Sequence, residues 1–383
     1  MQRLFADQSL RIIFANTLVA VMGVAMLTPA FPEVSSALGA SREQVVMLIT
    51  AFTLPGIGLA PVVGVLADRV GRKKALVFSL LLFGVAGGAC GLVQSFETIL
   101  ALRFLQGVGG SGLASLSITL IGDLFHGKDR VKAMGLNASV LSVGTAIFPL
   151  MGGFLTVLSW RAPFLMFFLA VPVGLVVMRL QLPAISHPET SISAYLTGAF
   201  RILTGREMLR FVAGGTIVFI ILYGAYLAYF PFLLSRLGAP SYLIGAIMAT
   251  TSVSSAIVSF NIEKVARLLS AQRAIQTALL LAASALLTMP LIHTLPLFLV
   301  PTIVYGAAQG VATPVLQSFI VGRAPFQCRA IVMGAFSMSI RTGQTIGPLL
   351  SAMLAVGLGM NSVFYGAAVL SLLGMVLMGI KKR

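Results

Sequence analysis

The chain has 383 residues, 58% of them hydrophobic and 9% charged, with a formal net charge of +16 at pH 7. Soluble domains carry about 25% charged residues, so an ordinary water-soluble enzyme is excluded. The surplus of positive charge suits the anionic headgroups of a cytoplasmic leaflet and argues against a nucleic-acid partner.

Long charge-free runs set the elements. A helix needs about 20 apolar residues to cross a bilayer, and in hydrocarbon each backbone amide must find its partner within its own segment. The first run, residues 12–32, reads as an uncleaved membrane helix because so many spans follow it. Twelve spans are predicted in chain order, near residues 10–32, 44–66, 75–93, 98–122, 133–157, 162–180, 211–234, 243–262, 274–292, 297–321, 332–356 and 362–380. The run 274–322 is too long for one helix, and Pro290, His293 and Pro296 mark its turn.

Of the 26 lysines and arginines, 21 fall at the N-terminus, after the even-numbered spans or at the C-terminus. Arg42, Arg161 and Arg236 fall on the other side, and Arg103 and Arg341 lie inside spans. Cationic loops stay cytoplasmic, which puts both termini in the cytoplasm. The two cysteines, Cys90 and Cys328, are far apart in this topology, and the three histidines are scattered. Neither a disulfide nor a metal site is expected.

The chain also repeats itself. Phe31-Pro32 with Leu38-Gly39-Ala40 matches Phe230-Pro231 with Leu237-Gly238-Ala239, an offset of 199. The same offset carries Gly107 to Gly306, Arg130-Met134-Gly135 to Arg329-Met333-Gly334, Gly144 to Gly343 and Pro149 to Pro348. Two six-helix halves are therefore expected, 1–180 and 211–383, joined by a polar cytoplasmic linker 181–210 that has room for a surface helix within 192–203. Parallel halves of this kind hold a substrate between them near the bilayer midplane.

Between the second and third spans stands GVLADRVGRKK, Gly64 to Lys74, with five charges read as a tight turn. It resembles the cytoplasmic loop signature of the major facilitator superfamily, GxLADRxGRKx. The fourth span carries LALRFLQGVGGSG, Leu100 to Gly112, and Arg103 resembles the arginine of a second signature of that family. A snorkelling side chain is the bland alternative for Arg103. Gly107, Gly109, Gly110 and Gly112 read as a close-packing face. In the fifth span, Gly135, Gly144, Pro149, Gly152 and Gly153 follow the family's antiporter signature, but Phe148 stands where a glycine is expected. The second half keeps that glycine in Gly334, Gly343, Gly347 and Pro348. Glycine and proline suit an interface that must flex or slide. Trp160-Arg161 with Phe164 is similar to the family's drug-exporter branch.

The resemblance implies the 12-helix, all-α major facilitator fold of two pseudo-symmetric bundles. It implies an inner latch in which Gly64, Asp68, Gly71 and Arg72 take part, with Asp68 capping the eleventh helix and Arg72 pairing with Asp123. The counterpart in the second half, Ser259 to Leu269, is degenerate; Glu263, Lys264 and Arg267 replace the charges.

Ten acidic residues occur and none is placed mid-membrane, whereas Arg341 is. The cavity therefore suits neutral, zwitterionic or anionic substrates better than simple cations. Asn16, Asn137, Tyr223, Tyr226, Gln309, Thr313, Arg341 and Gln344 are candidates to line it, with interhelical hydrogen bonding as their bland alternative. The tyrosines 223, 226 and 229 recur every three residues on one broad face.

The expectation is a proton-coupled exporter of a small molecule, drug or metabolite, working by alternating access as a monomer in the bacterial inner membrane. A gradient-independent facilitator or importer is the rival reading, and a non-transporting sensor a remote one. Neither an enzyme activity nor a cofactor is expected, since no paired acid and base is visible.

Overall fold

The computed structural model describes residues 7–179, 205–323 and 329–379. The 181–210 linker with its possible helix falls almost wholly outside them, as does Cys328. The described residues are helical and contain no strand. The chain divides into two compact units, Met1–Pro188 and Glu189–Arg383.

The first unit runs α1 (Gln8–Ala25), a 3₁₀ turn (Thr28–Ala30), α2 (Phe31–Leu38), α3 (Arg42–Thr53), α4 (Pro55–Val70), α5 (Arg72–Ala89), α6 (Phe96–Gly110), α7 (Leu113–Leu124), α8 (Gly127–Leu158), α9 (Ala162–Leu165), a second 3₁₀ turn and α10 (Ala170–Arg179). The second runs α11 (Arg206–Ile221), a π-helical segment (Leu222–Tyr229), α12 (Phe230–Arg236), α13 (Ser241–Phe260), α14 (Ile262–Leu268), α15 (Ala271–Thr288), α16 (Leu299–Arg323), α17 (Arg329–Leu358) and α18 (Met360–Gly379). Ten helical stretches among the described residues are long and apolar enough to cross a membrane. The helices α5 and α17 occupy the expected third and eleventh spans. Large apolar side chains such as Phe154, Phe260, Met353 and Val356 are exposed, as a surface wetted by lipid requires.

Local chemistry explains the helix ends. Asp7 caps α1 by accepting from Ser9 and Leu10 N–H, and Ser41 with Gln44 forms a capping box on α3. Gly39 and Gly238, 199 residues apart, both take the left-handed conformation after their helices (φ 61° and 79°), a helix stop that glycine adopts without steric cost. The repeat is therefore visible in backbone geometry.

Two expectations are corrected. Gly64 to Val70 is not a loop; it forms the last turns of α4, and the whole reversal occurs at Gly71 (φ 95°) before α5 begins at Arg72. Charged residues near a helix end do not interrupt its hydrogen bonding, so a fall in hydropathy marks the edge of the lipid and not the end of the helix.

The second correction concerns the tyrosines. Pro231 has no N–H to offer the carbonyl four residues back. The chain answers with π-type bonding, in which the Phe230 N–H reaches Ala225 O. The wider turns rotate Tyr223, Tyr226 and Tyr229 off a common face. Tyr226 and Tyr229 are buried, while Tyr223 is half-exposed. Burial also removes Tyr229 from any interfacial belt.

Candidate functional site

The inner turn comes first. Arg72 Nε lies 2.5 Å from Asp123 Oδ2, joining the start of α5 to the end of α7, with both side chains 14% exposed or less. Gly64 sits two turns before the end of α4, and no atom lies within 4 Å of where a side chain would begin at Gly64 or Gly71. Asp68 is placed in the last turns of α4; its side chain is outside the described residues. In the second unit the degenerate counterpart is also helical, and Glu263 meets Arg267 only at 3.9 Å on an exposed surface.

Arg103 does not snorkel. It is fully buried, donating from Nε to Leu48 O (3.2 Å) and from Nη1 to Gln106 Oε1 (2.6 Å). Its guanidinium stands 4.5 Å from the Phe52 ring centre and 5.9 Å from that of Phe167, a cation–π setting. Gln106, not singled out by sequence, is equally buried. The α6 glycines make this possible. A side chain on Gly107 would strike Phe52 O, and one on Gly109 would strike Phe83 N and Ser79 O.

Asn16 and Asn137 belong to a buried network across α1, α7 and α8. Asn16 Nδ2 donates to Leu113 O and Ser117 Oγ (both 2.7 Å), and Thr17 Oγ1 bridges Ser117 Oγ (3.0 Å) and Asn137 Oδ1 (2.7 Å). These bonds join three helices, while Asn16 Oδ1 is buried with no hydrogen-bond partner among the described residues. Gly144, Pro149 and Gly152 lie buried in α8; a side chain at Gly152 would strike Met26 O, whereas Gly144 meets the Leu18 side chain at 3.0 Å.

In the second unit, Tyr226 stacks on Tyr305 (4.8 Å) and Phe230 (5.0 Å), and its hydroxyl meets Thr251 Oγ1 at 2.6 Å. Gln309 Nε2 donates to Tyr305 OH (3.0 Å), and Thr313 is half-buried one turn further along α16. Sequence reading missed the hydroxyl row on α13. Thr251, Ser254 and Ser259 donate to the α16 carbonyls of Thr302, Ile303 and Gly310 at 2.8–3.1 Å. The run TTSVSS at 250–255 and its neighbours was the available signal. Gly343 and Gly347 press α17 on α11; side chains there would lie 2.6 Å from Thr216 O and 2.5 Å from Ile220 O. Pro348 follows inside the uninterrupted α17. Arg341 is half-buried and donates from Nη1 to Gln344 Oε1 at 3.3 Å.

The structure thus gathers the predicted residues into separate clusters within each unit: Arg72 with Asp123, Asn16 with Asn137, Tyr226 near Gln309 through Tyr305, and Arg341 with Gln344. Among the described residues no group of acidic, histidine and cysteine side chains could hold a metal ion.

A family model described as Major Facilitator Superfamily matches residues 13–292 and 212–382. The chain belongs to the Major Facilitator Superfamily. An uncharacterized MFS-type transporter of Mycobacterium tuberculosis is 30% identical over 263 residues, 64% of this chain. That alignment spans only 38% of the relative's own length. The multidrug efflux protein YfmO of Bacillus subtilis is 26% identical over 368 residues, covering 94% of this chain and 89% of YfmO. The crystal structure of the nucleoside transporter NupG superposes with a TM-score of 0.77 at 14% identity, over 98% of this chain and all of NupG. The fold is the superfamily's, and the chain is an integral membrane protein whose relatives are transporters and not enzymes.

Proposed function

We propose that the protein is a secondary active exporter that moves a small molecule, drug or metabolite, out of the cytoplasm by proton-coupled alternating access. The halves 1–180 and 211–383 are the moving bodies, the 181–210 linker and both termini lie in the cytoplasm of a bacterial inner membrane, and the working unit is a monomer. The observation that carries this reading is the Gly64–Lys74 signature with its Arg72–Asp123 ion pair, nearly shielded from solvent and therefore little weakened by salt. Likeness to a multidrug efflux protein over nearly the whole chain supports the outward direction.

In this reading Gly64, Asp68, Gly71, Arg72 and Asp123 form the inner latch, and Arg103 couples α6 to α3. Gly144, Pro149, Gly152, Gly343, Gly347 and Pro348 let the long helices α8 and α17 adjust. Tyr223, Tyr226, Gln309, Thr313, Arg341 and Gln344 supply the substrate-facing surface of the second unit, and Asn16 and Asn137 stiffen the first. Glu33, in the first turn of α2, has a buried carboxylate oxygen without a hydrogen-bond partner among the described residues; it is our candidate for the proton carrier.

The test is energised efflux in cells stripped of their own pumps, loaded with cationic, neutral and anionic dyes. Extrusion is expected to vanish with a protonophore and in Asp68→Asn. Flux that persists without a gradient would replace the exporter with a facilitator. That rival has one observation in its favour: the described carboxylates stand near helix ends and none at mid-span.

A further inference from the structure

Arg341 is a cation whose own unit holds almost no countercharge. It lies twelve residues into α17, about 18 Å along the helix in a hydrocarbon layer about 30 Å thick. An arginine at that depth is costly unless it is paired or faces water. The sequence places three acidic residues in this unit, Glu189, Glu207 and Glu263. Glu189 is outside the described residues. Glu207 is held by Arg323 in a two-pronged pair at 2.8 and 3.1 Å, and Glu263 faces Arg267. Among the described residues Arg341 forms no ion pair, and its guanidinium donates to Gln344 Oε1 at 3.3 Å.

The surroundings are built rather than accidental. Gly343 brings the α17 backbone against Thr216 and Ile220 of α11, and Gly347, six residues beyond Arg341, brings it against Gly224 of the π-helical segment. Such segments are rare and concentrate at functional sites. The Phe219 side chain stands against Gly343, two residues from Arg341, and the Tyr223 ring sits 6.2 Å from that of Phe219. Both Arg341 and Tyr223 are half-buried and keep some open surface, which a ligand can reach. Arg103 shows the opposite arrangement, sealed between two phenylalanine rings with no surface at all.

We infer that Arg341, with Tyr223 and Gln344, is the recognition point for the carboxylate of a small amphipathic anion whose apolar body lies along the Tyr223 and Phe219 rings. A guanidinium offers a planar fork of donors that matches a carboxylate. Gln344 takes one donor and steadies the fork, the Tyr223 hydroxyl can add a third bond, and the substrate brings the negative charge the unit lacks. This assignment rests on the transporter reading, but it does not depend on direction of transport or on protons.

The experiment is equilibrium binding to the purified protein in phosphatidylcholine nanodiscs, using three dyes that share one fluorophore. These are dansylglycine (anionic), dansylamide (neutral) and dansylcadaverine (cationic). Wild type is expected to bind dansylglycine at least tenfold more tightly than dansylamide. Arg341→Gln should lose that tenfold while leaving the other two dyes unchanged, Arg341→Lys should recover part of it, and Tyr223→Phe should weaken dansylglycine alone by two- to fivefold. No preference for the anion in wild type, or an equal loss of all three dyes in Arg341→Gln, would overturn the assignment. If Arg341→Gln does not yield a monodisperse protein, the Lys and Phe variants decide by the same criterion. Flux in proteoliposomes under an imposed proton gradient is read separately. Charge-selective binding without gradient-driven flux would keep the anion site and remove the exporter.

Discussion

Phe52 and Thr251 stand 199 residues apart and perform one task with different side chains. Each offers its backbone carbonyl to a glycine on the crossing helix, Gly107 in the first unit and Gly306 in the second. One turn before the glycine, the first unit carries Arg103 and Gln106, and the second carries Thr302 and Tyr305 at the same offset. The first crossing is therefore a buried cation wrapped in aromatic rings. The second is a stack of tyrosines bonded to threonine hydroxyls. Duplication preserved the backbone contact, which any side chain would crowd, and left the surrounding side chains free to diverge.

The largest effect should come from breaking the shared part. Gly107→Val and Gly306→Val both drive a branched side chain into a carbonyl on the neighbouring helix, and neither variant is expected to yield a monodisperse folded protein. Alanine at either position should cost about 1–3 kcal/mol, the usual range for overpacking. Thermal unfolding in detergent measures it. Equal losses at the two sites would support structural equivalence; a loss at one site alone would end it.

The unequal parts should respond unequally. Arg103→Ala removes a side chain that fills space between Phe52 and Phe167 and leaves Gln106 buried with its amide unbonded. A cost of about 3–5 kcal/mol is expected, as for a large buried residue cut to alanine. Arg341→Ala removes a half-exposed group with one long hydrogen bond, and should cost less than about 1 kcal/mol. Melting temperatures of the two variants check this, and the reverse order would show that Arg341 is the structural arginine.

These two arginines also mark what could be read from sequence. Apolar runs located the spans, because lipid imposes a length on each, and the constant offset of 199 exposed the duplication. Hydropathy registers an arginine inside a span without saying whether it bends out to headgroups or folds inward. Only the α6 glycines, which let Phe52 approach, decide that for Arg103. The helical run Gly64–Val70 was hidden for a similar reason, since charge at a helix end looks like a loop. The π segment was hidden because its cause, Pro231, lies beyond it, and because tyrosines spaced by three look regular in any helix. Asn16 and Asn137 were recognisable as inward-facing polar groups, but their pairing through Thr17 and Ser117 depends on three helices meeting.

The inner turns give a smaller contrast. Arg72 and Asp123 meet at 2.5 Å with little exposure, while Glu263 and Arg267 are separated by 3.9 Å and more than 80% exposed. Asp123→Asn should cost about 1–3 kcal/mol, because it leaves a charged donor nearly buried without its anion. Glu263→Gln should stay within about 0.5 kcal/mol, the ordinary worth of an exposed pair on a helix. Raising the salt concentration should narrow the second difference and hardly touch the first. A Glu263→Gln loss as large as that of Asp123→Asn would mean that the second inner turn is a working latch despite its missing glycines.

The smallest effect is expected where the second crossing carries its polar groups. Tyr226→Phe deletes the hydroxyl that meets Thr251 and Met248 O but keeps the ring stacked on Tyr305 and Phe230. Interhelical hydrogen bonds within a membrane are worth about 0.6 kcal/mol on average, since in the unfolded state the same groups find other partners in the bilayer. A loss near that size is expected, and Thr251 retains its bond to Thr302 O as compensation. Tyr226→Leu, which removes the stacking as well, should cost clearly more in the same melting experiment. If the two variants fall together, the hydroxyl and not the ring holds α13 and α16 to the π segment. The second crossing would then resemble the first, with one buried polar group organising the helices around it.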